Sequence, residues 1–294
     1  MKALYWTFGL SWGVYLLFYL LGGRWNPAPE EANPETALLL TAFGFLYMWL
    51  PGLVALYFAR KEGVRLPLAL RPNRYWLFAW LFPVALSLLS LPLSLPFAPW
   101  RGFTAVYGGI PPEDLALLPQ GFFRLLPLIL LLTGLLAGAT VNLVAALGEE
   151  LMWRGYLWER LRDRGFWPAS LEIGFYWGLW HAPLVLSGHN YPHAPFLGVP
   201  MMILFTLALT PALLWVREKG GSLLAAALLH GTLNAVAGLS LLLVERTHDL
   251  LIGVVGLPGL FLLGFSSWPF STSGSGGGYS QGDALFGAFR TFRG

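Results

Sequence analysis

The chain has 294 residues, of which 56% are hydrophobic and 11% charged. Soluble domains carry about 25% charged residues, so this composition, with a mean hydropathy of +0.62, is that of a polytopic membrane protein. A net charge of +3 gives no reason to expect nucleic acid as a partner, and the absence of cysteine excludes disulfides, thiolate metal sites and a cysteine nucleophile.

A membrane-spanning helix needs about 20 apolar residues. Eight predicted spans occur in chain order: residues 4–21, 37–58, 75–96, 125–157, 167–186, 198–216, 222–244 and 250–265. The first begins directly after Met1 and Lys2. With no A-x-A-like cleavage site behind it, it is expected to be a retained span rather than a signal peptide. The fourth would reach about 50 Å at 1.5 Å per residue, so it must tilt, project or break. Gly134 and Gly138 form a small-xxx-small pair, the expected place for a break and for close helix packing.

The expected fold is therefore all-α, a polytopic membrane domain of about eight helices over residues 1–265. The remainder, 266–294, opens with a Gly/Ser-rich stretch and reads as a flexible extension. No internal repeat stands out, which counts against a transporter built from inverted repeats.

Charge alternates between loops. Arg60, Lys61, Arg65, Arg71 and Arg74 come after the second span, Arg160, Arg162 and Arg164 after the fourth, and Arg217 and Lys219 after the sixth; Arg290 and Arg293 lie after the eighth. The opposite loops hold Glu30, Glu31, Glu35, Glu113 and Asp114. The positive-inside rule puts the basic loops and both termini in the cytoplasm, with the chain in the cell membrane.

Against this apolar background, the sequence Val141-Asn-Leu-Val-Ala-Ala-Leu-Gly-Glu149-Glu150-Leu-Met-Trp-Arg154 is conspicuous. Ionisable groups at membrane depth are expensive and persist where they have partners and a role. Glu150 and Arg154 are four apart, share a helix face and can neutralise one another. Glu149 lies about 100° round, on the side of Asn142 and Trp153, and is less obviously satisfied. An ion-pair cluster with Arg154–Arg164 at the cytoplasmic surface would also account for the glutamates.

Two later spans add His181, preceded by Trp177, and His230, with Asn234 next on the same face. Measured from the basic ends of their spans, Glu149, His181 and His230 lie about 16, 21 and 12 Å in. Side chains at those depths can meet. A lone His or Asn in a span commonly makes an interhelical hydrogen bond, but acid, imidazole and amide at matched depth on three helices make a set that can do chemistry. His189, His193 and His248 fall in outside loops and are expected to be solvated.

At these residues the chain resembles a known family. Glu149-Glu150-Leu-Met-Trp-Arg154 matches the E-E-x-x-x-R motif of the CAAX-protease and bacteriocin-processing (CPBP, or ABI) family, which includes the type II CAAX prenyl endopeptidases. His230-Gly-Thr-Leu-Asn234 matches its H-x-x-x-N/D motif. Trp177-Gly-Leu-Trp-His181 matches its F-x-x-x-H motif, with Trp in place of Phe. The resemblance covers about residues 125–244, with the motifs in order.

The resemblance implies an intramembrane endopeptidase with a cavity open to the cytoplasm. Glu149 would be the general base and His181 its partner on a water; His230 and Asn234 would stabilise the oxyanion; Glu150, Arg154 and Trp177 would support them. An apolar cavity that brings a carboxylate toward the working pH suits such a base. A metal-assisted alternative would place zinc on Glu149, His181 and His230, a legitimate ligand set with one position open, although no H-E-x-x-H pattern is present. The expected partners are the lipid bilayer and a membrane-associated protein or peptide substrate. Rival functions are a proton-coupled transporter using the Glu/His set as a relay, and a non-catalytic membrane scaffold or immunity protein.

Overall fold

The computed structural model describes residues 2–27, 33–101, 120–245 and 248–266. The loop acids Glu30, Glu31, Glu113 and Asp114, the C-terminal arginines, and the extension from residue 267 onward lie outside the described residues.

The elements in chain order are α1 (Lys2–Leu20), α2 (Pro34–Glu62), α3 (Arg74–Ser94), α4 (Gln120–Ala139) and α5 (Val141–Glu150). A π-helical stretch (Leu151–Leu157), α6 (Trp158–Leu161) and a 3-10 turn (Arg162–Arg164) continue α5. Then come α7 (Phe166–Trp180), α8 (Ala182–Leu186), α9 (Pro195–Gly220), α10 (Leu223–Val236), a 3-10 turn (Ser240–Leu243) and α11 (Leu257–Ser266). Among the described residues the only β pairing is an isolated antiparallel bridge, Trp100 with Val244. The fold is all-α.

Asparagine and serine set the helix starts. Asn33 and Asn73 accept hydrogen bonds from Thr36 N and Tyr75 N, and Ser222 from Leu224 N, each satisfying an orphan donor of a first turn. Gly63 ends α2 at φ 68°, left-handed backbone that favours glycine.

Five stretches are long and apolar enough to cross a membrane: α1, α2, α3, α9 and residues 223–243. A sixth is the pair Leu125–Ala139 and Val141–Arg164, if this pair, bent by 46°, is one span. The chain is thus an integral, multi-pass membrane protein. The predicted fourth span does break, at Thr140, two residues past Gly138. The count is five or six such spans among the described residues rather than eight, for two local reasons. Residues 167–186 divide at His181, because Pro183 opens α8 and disfavours continuation through the residues before it. Residues 250–265 contribute only the 10-residue α11, about 15 Å long.

α9 and α10 form the centre of the bundle, with Leu209, Leu213, Leu214, Leu229 and Val236 fully buried. α1–α4 turn large apolar side chains outward, such as Leu16, Leu38, Leu77 and Leu136, as a lipid-facing surface should. Three glycine contacts set the backbone spacing around the motif residues. A Cβ on Gly148 would stand 2.6 Å from the Met48 carbonyl oxygen, and one on Gly52 would stand 2.5 Å from the Gly148 carbonyl oxygen. A Cβ on Gly231 would stand 2.6 Å from Leu143 N. α5 is therefore clamped between α2 and α10 by backbone contact. Gly134 and Gly138 similarly pack on α10, beside Val236 and Thr232.

The basic loops gather at one end of the bundle. There Leu223 N donates to Pro67 O (2.8 Å), Asn73 Nδ2 to Lys219 O (3.2 Å) and Trp76 Nε1 to Gly220 O (3.0 Å). Tyr156 donates to Glu62 (2.8 Å), Trp158 to Glu218 (2.9 Å), and Arg217 pairs with Glu159 and Glu218. At the other end Trp25 Nε1 donates to His189 Nδ1 (3.1 Å), and Arg101 N donates to Leu243 O (2.9 Å).

Candidate active site

Glu149 and Glu150 end α5, fully or almost fully buried. The π-helical stretch begins at the next residue. Wide π turns commonly accompany functional sites and shift the rotational phase of the helix after them. Even so, Arg154 Nη1 reaches Glu150 Oε1 at 3.0 Å, so the expected pair forms, with both side chains sealed from solvent.

Glu150 has a second partner on another helix. His230 Nδ1 of α10 stands 2.8 Å from the same Oε1. Arg154 also lies with its guanidinium carbon 3.9 Å from the Trp177 ring centroid and donates to Thr210 Oγ1 (3.3 Å). The buried cation is thus held by a carboxylate, a hydroxyl and an aromatic face, the compensation such a charge needs.

Glu149 has a different neighbour. Trp177 Nε1 donates to its Oε2 at 2.6 Å. The Trp177 ring packs edge-on against both His181 and His230, with centroids 5.8 and 5.3 Å away. Trp177 is the common wall of the site as well as a hydrogen-bond donor to the glutamate.

His181 sits at the joint between α7 and α8, with Nδ1 2.8 Å from the Trp177 carbonyl oxygen. A carbonyl only accepts, so Nδ1 carries the proton and Nε2 of the neutral ring is an acceptor. For His230, the partner of Nδ1 is a carboxylate, so Nδ1–H donates and Nε2 is left for the site.

Glu149, Trp177, His181, His230 and Asn234 all line one cavity of about 640 Å³, together with Asn142 and Tyr47. The cavity therefore joins the set expected from sequence, while Glu150 and Arg154 stand behind it. Asn234 is exposed to this space, one turn beyond His230. Tyr47 donates to the Trp180 carbonyl (3.1 Å) and forms part of the wall. Sequence offered no means of singling it out, because it is one aromatic among many in an apolar span.

Two of the loop histidines are not simply solvated. His189 lines the cavity, accepts from Trp25 and stacks over His181 with ring centroids 6.4 Å apart. Burial pushes its imidazole down to about 4. His193 pairs with the buried Asp249 through both its backbone N (2.7 Å) and its ring (3.2 Å).

The donors do not converge as a metal site would require. Each Nδ1 is committed, one to a carbonyl and one to Glu150, and Oε2 of Glu149 receives the indole; bonds of this kind also accompany metal ligands, so the spacing of the side chains decides. Among the described residues no group of three or more His, Asp or Glu side chains stands in a metal-holding arrangement. As placed, the three side chains are not gathered as a zinc site gathers its ligands.

The cavity has a direction. Its walls include Leu40, Thr41 and Gly44 of α2, His189 and Asn190 of the loop after α8, and Gly238 beyond α10. All of these lie toward the bundle end opposite the basic loops.

Comparison with known proteins agrees with the motif reading. Residues 122–236 match the family model described as type II CAAX prenyl endopeptidase Rce1-like. A 55-residue segment is 42% identical to the protein named CAAX prenyl protease 2 of Methanococcus maripaludis. That segment is 18% of this chain and spans 20% of the relative's length.

Proposed function

From the premise that residues 122–236 are a segment of the type II CAAX prenyl endopeptidase (Rce1-like) family, we propose that the protein is an intramembrane endopeptidase that works with a glutamate-activated water. The observation that carries this is the convergence of Glu149, His181, His230 and Asn234 on one cavity within the bundle.

In this reading a water sits between the Glu149 carboxylate and His181 Nε2, donating a hydrogen to each. Glu149 takes a proton as the water oxygen attacks the scissile carbonyl, and later delivers it to the departing amine. The oxyanion is received by the Asn234 amide and by His230 Nε2–H. The latter requires His230 as imidazolium, and Glu150 beneath its Nδ1 supplies the opposing charge. The Trp177 indole holds the Glu149 carboxylate in place. No metal takes part in a step, because the donor arrangement does not fit one. The basic loops face the cytoplasm, as their gathering at one end of the bundle and the positive-inside rule both favour. The substrate is a membrane-associated protein or peptide.

Comparative peptidomics tests the reading. Membranes carrying the wild-type protein should contain cleavage products missing from membranes carrying Glu149→Gln. Identical product sets at equal protein levels would overturn it.

A further inference from the structure

The end of α7 leaves backbone carbonyls to be satisfied. The last turn of a helix carries acceptors without intrahelical donors, and Pro183, just beyond, brings no N–H of its own. The Trp177 carbonyl takes the ring N–H of His181, and the Gly178 carbonyl takes the His181 backbone N–H (3.1 Å). The Trp180 carbonyl, which forms the peptide link to His181, is reached from two other helices. Trp12 Nε1 of α1 donates to it at 3.2 Å, and Tyr47 OH of α2 at 3.1 Å.

Packing holds this contact in place. Tyr47 is 1% exposed, and its ring lies over that of Trp180 with centroids 4.5 Å apart. Trp180 in turn meets the His181 ring edge-on at 4.8 Å.

The consequence for His181 follows from backbone geometry. The peptide unit between Trp180 and His181 is planar, so holding its oxygen fixes the plane from which the His181 Cα departs. The ring is held separately, by Nδ1 on the Trp177 carbonyl one turn back. With both fixed, the direction of Nε2 is fixed as well. The backbone restraint comes from α1 and α2, outside the segment 122–236 that matches the family model.

We infer that Trp12 and Tyr47 are positioning residues of the active site: by holding the Trp180 carbonyl they aim His181 Nε2 into the cavity. That this serves catalysis rests on the proposed role of His181, whereas the hold on the ring stands apart from it.

Trp12→Phe and Tyr47→Phe each remove one donor and keep a ring. Tyr15→Phe is the control, because its hydroxyl, on the same helix as Trp12, bonds to Ser187 Oγ instead of the Trp180 carbonyl. Protein labelled with heavy nitrogen in histidine alone is purified in detergent and its ring signals recorded by NMR. The chain has five histidines, and His181→Gln identifies the His181 signals by their loss. These signals should move in Trp12→Phe and in Tyr47→Phe, move further in the double variant, and stay in place in Tyr15→Phe.

On a peptide taken from the membrane products, kcat rather than KM should change. Each single variant should lose about 5-fold, the worth of one neutral hydrogen bond. The double variant orphans a buried carbonyl and should lose about 100-fold, more than the product of the single losses. If the double variant folds poorly, the two single variants still decide. His181 signals unmoved in both singles would overturn the inference, as would a Tyr15→Phe protein that shifts them and slows turnover equally. A lack of products dependent on Glu149 would instead count against the proteolytic reading, with the His181 signals still deciding whether the ring is held in this way.

Discussion

His230 Nδ1 and Glu150 Oε1 lie 2.8 Å apart, joining α10 to the end of α5, and Arg154 holds the same oxygen from one turn further along. The second carboxylate of the doublet is therefore more than a counter-charge. It connects the helix that carries the proposed base to the helix that carries the proposed oxyanion donors.

A substitution at Glu150 should act on both folding and rate. Glu150→Gln leaves a buried Arg154 without its carboxylate, and breaking such a pair costs about 3–5 kcal/mol. It also removes the carboxylate that His230 Nδ1 holds. Folded yield in detergent should fall sharply, and the surviving enzyme should be slower. Measured yield and kcat separate the two effects. Wild-type kcat in well-folded Glu150→Gln would contradict the linkage to His230.

The indole of Trp177 makes a separable contribution. Trp177→Phe keeps an aromatic wall and restores the residue usual at this place in the F-x-x-x-H motif, but removes the N–H that Glu149 accepts at 2.6 Å. A hydrogen bond to a charged group is worth about 1.5–3 kcal/mol, so kcat/KM should fall by about 10- to 100-fold with the fold retained. Unchanged kinetics would show that the bond does not serve the reaction.

Much of the site was legible in the sequence, because charge and amide groups in apolar spans are few and their spacing fixes their faces. Glu149, His181 and His230 could be matched by depth, and Asn234 by the helix face it shares with His230. The Glu150–His230 contact could not, since it depends on how closely α5 and α10 approach. Gly231 sets that approach between helices far apart in the chain, and no local pattern reports it.

The hydrophobic pattern likewise gave no sign of the π-helical stretch at Leu151–Leu157, because a run buried on every face is compatible with either winding. The division at His181 was visible in Pro183 but was outweighed by the apolar run around it. The direction of the cavity was hidden because it depends on which side chains fill the space between helices.

Metal dependence gives a third test. With no group of three or more His, Asp or Glu side chains gathered among the described residues, activity should survive prolonged chelation, and the active protein should hold well under one zinc per chain by elemental analysis. Loss of activity on chelation, with recovery when zinc is returned to one per chain, would contradict the metal-free mechanism.

His189 should make the outer cavity wall sensitive to acid. Its imidazole is held down to about 4 by burial, against an unfolded value near 6.5. Between these values the unfolded chain binds the proton and the folded chain does not, so stability is present above about pH 6.5 and is lost as pH falls toward 4. Thermal unfolding in detergent monitored by tryptophan fluorescence should show this fall, and His189→Gln should flatten it. An identical pH dependence in the variant would contradict the assignment.

The mechanism turns on Glu149 as the base. The decisive comparison is kcat for wild-type protein and Glu149→Gln, both purified in detergent, checked for equal folding, and assayed on one peptide identified from the membrane products. Glutamine keeps the size of the side chain but cannot take the proton from water, so kcat should fall by about 10²–10⁴-fold, the usual contribution of a general base. Near-normal turnover by folded Glu149→Gln would exclude Glu149 from that role.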